Sequence, residues 1–190
     1  IAVLQAACEQ FGFNRQLLPG LPVHASQAPL AATTTDLRLL GSGLEHNLQI
    51  SPLHAALITA GIANKGVMMT PRLVDRAERE QQELRLAPTT ELLRVTSPQV
   101  ADSLTRMLTS TVTTGTSRRA FRSPQARQLL ASVSVAAKTG SINGDNPKGH
   151  YSWFAAYAPA DDPQIALVAL VINGNRWRIK ASQVGEQALD

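Results

Sequence analysis

Three consecutive strand patterns fill the last third of the chain, and they constrain the fold more than any other feature. Residues 131–141, ASVSVAAKTGS, alternate small and β-branched side chains, residues 151–159, YSWFAAYAP, are rich in aromatics, and residues 164–173, QIALVALVIN, are continuously apolar. Segments of this length and composition are typical of strands. Because the links between them are short, we predict an antiparallel sheet within 131–173, with a polar loop between the first two strands.

Two helices are predicted to begin at Ser-Pro pairs. A serine caps the first turn of a helix, and a proline suits its first position because the amide there needs no partner. The pairs are Ser51-Pro52 and Ser97-Pro98, and glycines end both runs. We therefore predict a buried helix over 51–65, stopping at Gly66, and a second helix over 98–114, stopping at Gly115.

The second of these helices has an apolar face. Its members recur at helical spacing, at Leu104, Met107, Leu108 and Val112. The remaining segments are predicted as helices over 1–12 and 182–189, an irregular loop over 17–35 and two extended pieces around a charged turn within 67–95.

Size and charge exclude several classes of protein. The 190 residues, 44% of them hydrophobic, suffice for one core but hardly for two independent domains. The net charge of +4 is diffuse, so we expect no nucleic-acid partner. The single cysteine, Cys8, leaves no intrachain disulfide and no cysteine-based metal site. No apolar run approaches the roughly 18 residues that a membrane span needs, so any anchor would lie upstream.

One basic cluster interrupts the diffuse charge. Its members are Arg118, Arg119, Arg122 and Arg127. These side chains could bind an anionic glycan or a lipid headgroup, but a charge run is more often a solvated surface, and we interpret the segment as a solvated loop.

A Lys-Thr-Gly triplet, Lys138-Thr139-Gly140, stands near the end of the first predicted strand and is followed by Ser141. Alone it is a weak signal, because three common residue types occur in a given order by chance, and its simplest interpretation is a strand with a surface lysine. Its context is more specific. Thr114-Gly115-Thr116 precedes it, and Trp153-Phe154 and Tyr157-Ala158-Pro159 follow it.

This layout resembles the transpeptidase domain of penicillin-binding proteins, most closely the class B type. In that family a K-T-G strand is followed by a W-F strand that runs into A-P, and an S-P-L helix ends in A-N-x-G before P-x-L-V. The matching segments here are Ser51-Pro52-Leu53, Ala63-Asn64-Lys65-Gly66 and Pro71-Arg72-Leu73-Val74. The resemblance covers nearly the whole chain. It implies an α/β fold in which an antiparallel sheet is flanked by helices, as in penicillin-binding proteins and serine β-lactamases.

The resemblance also implies two motifs that this sequence lacks, a nucleophilic serine in S-x-x-K and an S-x-N. The residues three positions before the four lysines are Ile62, Val135, Asp145 and Trp177. Ser141-Ile142-Asn143 matches S-x-N in letters, but it abuts K-T-G, whereas the family's motif lies far upstream. We therefore expect residues 1–190 to be an incomplete fragment, the C-terminal part of a single transpeptidase domain, with both motifs upstream of residue 1.

For four residues the resemblance implies roles in acyl transfer. The Lys138 ammonium and the Thr139 hydroxyl would bind the free carboxylate of a D-Ala-D-Ala stem peptide or a penicillin. Because adjacent strand residues point to opposite faces, the two can converge only if the strand twists or Lys138 reaches inward. Gly140 would let the ligand lie against the backbone. Ser141, often threonine in the family, would give its backbone N–H to the oxyanion hole.

Other candidates receive structural interpretations. The histidines are too far apart in sequence for a helical metal pair, so we expect no metal and no cofactor; they are His24, His46, His54 and His150. Gly41-Ser42-Gly43 begins like a dinucleotide-binding loop but is interpreted as a turn before the buried helix. At least one of Trp153 and Phe154 is expected in the core rather than in a ligand platform.

We expect the parent protein to be a peptidoglycan D,D-transpeptidase that binds stem peptides and β-lactams. Its catalytic domain would lie outside the cytoplasmic membrane, anchored by an N-terminal segment. Two alternatives stay open. A serine β-lactamase or D,D-carboxypeptidase would hydrolyse the acyl-enzyme, and a non-catalytic binding or scaffolding module would have a natural start codon just upstream of Ile1.

The resemblance carries one expectation about association. In the family, strands from the N-terminal portion of the domain complete the central sheet, so the strand at 165–173 would lose its neighbour here. An apolar edge strand is a template for pairing with another chain, and we expect self-association through it.

Overall fold

The computed structural model describes residues 2–17, 22–74, 76–79, 82–85 and 88–190. The helices of these ranges are α1 (Ala2–Gln10), α2 (Thr34–Ser42), α3 (Pro52–Ala63), α4 (Pro98–Thr113), α5 (Pro124–Ser132) and α6 (Ala181–Leu189), with a 3₁₀ turn at Ala120–Arg122. The strands are β1 (Val67–Met69), β2 (Arg76–Arg79), β3 (Gln82–Arg85), β4 (Glu91–Arg94), β5 (Ala136–Asp145), β6 (Lys148–Ala158) and β7 (Ile165–Asn173). None of the helices in the described ranges is long and apolar enough to cross a bilayer.

The predicted antiparallel sheet is confirmed, in the order β5-β6-β7. The polar loop predicted between its first two strands is wrong, since β5 and β6 continue as one long hairpin whose last pair is Asp145 and Lys148. Cross-strand pairs such as Asn143 with His150 carry the ladder through polar residues, because pairing overrides weak strand propensity. The predicted start at residue 131 is also wrong, as α5 extends to Ser132.

The sheet is covered on both faces, as its alternating side chains require. Phe154 is fully buried with Phe121 on the face covered by α5 and α6. Tyr157 is buried on the opposite face, where α3 and α4 pack, and its hydroxyl lies 2.6 Å from Thr105 Oγ1 of α4. The two aromatic side chains therefore fix β6 between two helical layers.

Both Ser-Pro helices form as predicted. Ser51 Oγ accepts a hydrogen bond from the His54 amide at 3.1 Å, and Ser97 Oγ accepts one from the Val100 amide at 3.3 Å. The predicted burial is wrong in part. Most side chains of α3 are half-buried, because the helix packs against the sheet and β1 along only part of its circumference. Met107 is 62% exposed, since it lies beside rather than on the face of α4 that meets the sheet.

The terminal helices are confirmed over Ala2–Gln10 and Ala181–Leu189, and residue 1 lies outside the described residues. The extended pieces within 67–95 are observed as the antiparallel pair β1 and β4, with an additional hairpin of β2 and β3. Residues 75, 80, 81, 86 and 87 of that segment lie outside the described residues.

Two helices, α2 and α5, were not predicted. The loop expected over 17–35 is observed over residues 22–33, after which α2 begins with a capping box between Thr33 and Asp36 and ends at Gly43 in the left-handed conformation. Residues 18–21 of that loop lie outside the described residues. The arginine cluster is solvent-exposed, but its interpretation as a loop is wrong in part, because Arg122 lies in the 3₁₀ turn and Arg127 in α5.

Candidate functional site

The Lys-Thr-Gly triplet lies in the middle of β5, not near its end as the sequence predicted. Its residues pair with Ala155, Phe154 and Trp153 of β6, and Ser141 pairs with Ser152. β5 is one of the two outer strands of the sheet, so within the described part of the chain its second edge has no strand neighbour. Its unpaired backbone groups are therefore open to a ligand.

Lys138 is exposed, so its ammonium group can be reached from solvent. Its Nζ donates a hydrogen bond to the carbonyl oxygen of Thr139 at 2.6 Å. No carboxylate of the described residues forms an ion pair with Lys138, whereas Lys65 pairs with Asp102 at 2.7 Å. The Lys138 ammonium therefore lies beside the backbone of Thr139.

Thr139 is half-buried, and its hydroxyl lies 2.5 Å from the hydroxyl of Thr116. Thr116 belongs to the short loop that follows α4. The Thr114-Gly115-Thr116 motif alone indicates no role for Thr116. The spacing of the two threonine motifs was the available signal, but it did not predict contact.

Gly140 and Ser141 complete the segment. A Cβ added at Gly140 would lie 3.3 Å from Trp153 Cβ, so the glycine allows close packing against that side chain. Ser141 is exposed. The four predicted residues therefore lie on one accessible stretch of strand, together with a fifth side chain from the loop after α4.

Of the aromatic pair on β6, Phe154 is core, as predicted, and Trp153 is half-buried on the opposite face. Within the described residues, no three His, Cys, Asp or Glu side chains gather as a metal-binding group would require. Gly41 and Ser42 belong to the end of α2 rather than to a free turn, and Gly43 ends that helix.

His54 lies in the core. Its side chain is 3% exposed, Nε2 lies 2.8 Å from the carbonyl oxygen of Phe11, and the ring contacts Phe13 edge-on. Because a carbonyl only accepts, Nε2 carries the proton, and Nδ1 is buried with no hydrogen-bond partner in the described part of the chain. Burial lowers the pKa of this imidazole, and its hydrogen bond and ring contact are with Phe11 and Phe13 rather than with the triplet.

Comparison with known proteins places the whole described arrangement in one family. The family described as penicillin binding protein transpeptidase domain matches residues 3–188. The chain is 29% identical over 176 residues to peptidoglycan D,D-transpeptidase PbpA of Mycolicibacterium smegmatis, covering 90% of this chain and 34% of that protein. It is 32% identical over 136 residues to PbpA of Mycobacterium tuberculosis, covering 68% of this chain and 26% of that protein.

Solved structures agree with the fold. Penicillin-binding protein A from M. tuberculosis, as an imipenem acyl-enzyme complex, superposes with a TM-score of 0.83 at 26% identity, covering 98% of this chain and 40% of that one. A D,D-transpeptidase domain from Eggerthella lenta superposes with a TM-score of 0.73 at 25% identity, covering 98% and 45%. The chain spans between about a quarter and a third of the length of the curated relatives it matches.

Proposed function

The chain belongs to the penicillin-binding protein transpeptidase family, and we propose that it is the C-terminal part of one such domain, in a parent that cross-links peptidoglycan stem peptides by serine acyl transfer. One observation carries the proposal. Lys138 and Thr139 are neighbours on an open edge strand, with the Lys138 ammonium at the Thr139 carbonyl oxygen and the Thr139 hydroxyl at Thr116, and no acidic side chain of the described residues engages either group.

In this proposal Lys138 and Thr139 bind the terminal carboxylate of a D-Ala-D-Ala stem peptide or the carboxylate of a β-lactam. An ammonium and a hydroxyl are donors, and a carboxylate accepts from both. Gly140 lets Trp153 pack close against the strand, and the backbone N–H of Ser141 would form half of the oxyanion hole. These donors stabilise the negative charge that develops on the substrate carbonyl oxygen.

The nucleophile is not among these 190 residues, since no lysine follows a serine at the S-x-x-K spacing. A serine and its lysine, together with an S-x-N motif, would come from the N-terminal part of the same domain. The share of the curated relatives that the chain spans, 34% and 26%, supports this division. That part would also pair with the free edge of β7.

The remaining features of the parent follow from its substrate. Peptidoglycan lies outside the cytoplasmic membrane, so the catalytic domain would be extracytoplasmic, anchored through an N-terminal segment. The relatives named above include D,D-transpeptidases and no β-lactamase or carboxypeptidase, so those alternatives are not favoured. The non-catalytic module is likewise not favoured.

The test compares acylation of the full-length parent by a penicillin with that of two variants. Lys138→Ala removes a charged partner of the carboxylate, and we expect a loss of roughly ten- to hundredfold in the second-order acylation rate. Thr139→Ser keeps the hydroxyl and should lose less. Lys148→Ala, at an exposed lysine on the same hairpin, is the matched control and should acylate like the wild type.

A surface lysine without a role predicts a different result. Exposed charges contribute under about 1 kcal/mol, so Lys138→Ala would then resemble Lys148→Ala. Equal rates for wild type and Lys138→Ala, with circular dichroism showing that both are folded, would contradict the site assignment.

A further inference from the structure

The loop that carries Thr116 is held in one conformation by the end of α4. The amide of Gly115 donates to Ser110 O at 2.7 Å, and both the amide and the hydroxyl of Ser117 donate to Thr111 O, at 3.1 and 2.9 Å. Ser117 is almost completely buried. Thr116 lies between these two residues, so hydrogen bonds on both sides hold the turn that places its hydroxyl next to Thr139.

The loop also has little freedom to move away. A Cβ added at Gly115 would lie 2.8 Å from Thr111 Cα and 2.9 Å from Ser110 O, distances that side chains do not tolerate. The turn therefore packs directly on the last turn of α4, and α4 in turn packs against β5. The contact between Thr116 and Thr139 joins two parts of one rigid unit.

The chemistry of the two hydroxyls gives this contact a direction once a ligand is bound. A hydroxyl has one proton to donate and lone pairs to accept with. A carboxylate only accepts, so Thr139 must donate its single hydroxyl proton to the ligand. Its oxygen can then only accept from Thr116, which makes Thr116 the donor of the pair.

We infer that Thr116 is a positioning residue for Thr139. By donating to Thr139 Oγ1, it directs the Thr139 proton toward the ligand carboxylate and removes the alternative in which that proton points back to the loop. The inference rests on the proposed function, because it takes a carboxylate-bearing ligand at Thr139. Thr116 itself does not touch the ligand in this account.

The experiment uses the full-length parent and benzylpenicillin, with stopped-flow measurement of the dissociation constant of the non-covalent complex and of the acylation rate constant. Thr116→Val removes the hydroxyl at nearly constant shape, and we expect a roughly three- to tenfold rise in the dissociation constant with the acylation rate constant changed by less than about twofold. Thr116→Ser keeps the donor and should bind like the wild type.

Two further variants separate positioning from general damage. Thr113→Val is the same substitution on an exposed threonine whose hydroxyl bonds within α4, to Thr109 O at 3.2 Å, and it should leave both constants unchanged. In a Thr139→Val background, adding Thr116→Val should cost less than about twofold, because the hydroxyl it orients is gone.

The outcomes are separable. If the wild type is acylated and Thr116→Val binds penicillin equally well, the inference is overturned and the proposed function stands. The inference is also overturned if Thr116→Val costs as much without the Thr139 hydroxyl as with it, since the loss is then structural. If the wild type is not acylated at all, the proposed function falls and the inference falls with it.

Discussion

Lys138 and His54 show what decides, residue by residue, whether a titratable group is available for chemistry. Lys138 is exposed, donates to a carbonyl oxygen and pairs with no carboxylate of the described residues, so its charge can meet a ligand. His54 is buried and hydrogen-bonded to the Phe11 carbonyl through Nε2, and Nδ1 has no partner among the described residues. The lysine can serve a site, whereas the histidine serves the core only while it is neutral.

This predicts a pH dependence of stability. Burial holds the pKa of His54 below its ordinary value of 6.5 in the folded state, so the unfolded chain takes up the proton more readily. The free energy of unfolding should therefore be fully retained above 6.5 and fall as the pH drops below it toward the folded pKa. Urea unfolding at a series of pH values measures the slope.

The control for that measurement is a substitution pair. His54→Gln keeps a donor that can reach the Phe11 carbonyl and cannot titrate, so its slope should be flatter than that of the wild type. His24→Gln, at an exposed histidine, should leave the slope unchanged. Equal slopes in all three proteins would show that His54 does not titrate with unfolding.

At the scale of elements, local signals explain what could be predicted and long-range contacts explain what could not. The caps of α3 and α4 were legible because Ser-Pro pairs act on their own first turn. The same signal, Ser123-Pro124, begins α5 and was obscured by the neighbouring arginines. The contact of Thr116 with Thr139 spans 23 residues, and no local pattern reports it.

The packing of α6 on the sheet gives an element-scale prediction. Alanine is favoured over glycine in a helix by about 1 kcal/mol, but a Cβ at Gly185 would come 2.2 Å from Phe154 Cδ1. Since overpacking costs about 1–3 kcal/mol or more, Gly185→Ala should lower the free energy of unfolding. Gly41→Ala is the control, because its Cβ meets nothing closer than Leu4 Cδ2 at 3.8 Å, and it should stabilise. Stabilisation by both substitutions would refute the packing argument.

The free edge of β7 gives a second prediction at the scale of elements. In the described residues β7 pairs only with β6, and we expect the 190-residue chain to self-associate through this edge at high concentration, as sedimentation velocity would show. Charges at the partly exposed ends, Ile165→Lys with Ile172→Lys, should weaken association, whereas Val3→Lys, on the exposed side of α1, should not. A monomer at every concentration would contradict this proposal.

At the scale of the whole molecule, we propose that the carboxylate-binding strand and the nucleophile lie in different parts of one domain. The chain matches the transpeptidase family from residue 3 to residue 188, yet it spans 34% of one relative and 26% of another. In the proposed function, its K-T-G strand, the Thr116 loop and the helices behind them would provide the side of a cleft that holds a carboxylate. In the proposed function the nucleophile and its base belong to the other side.

The most direct test is labelling with a fluorescent penicillin, read after denaturation. Acylation requires a nucleophile, so the 190-residue chain should retain no label, while the full-length parent should be labelled, and unlabelled penicillin should compete. Replacing the serine of the parent's upstream S-x-x-K by alanine should abolish the label. Stable labelling of the 190-residue chain, or no labelling of the folded parent, would contradict the account.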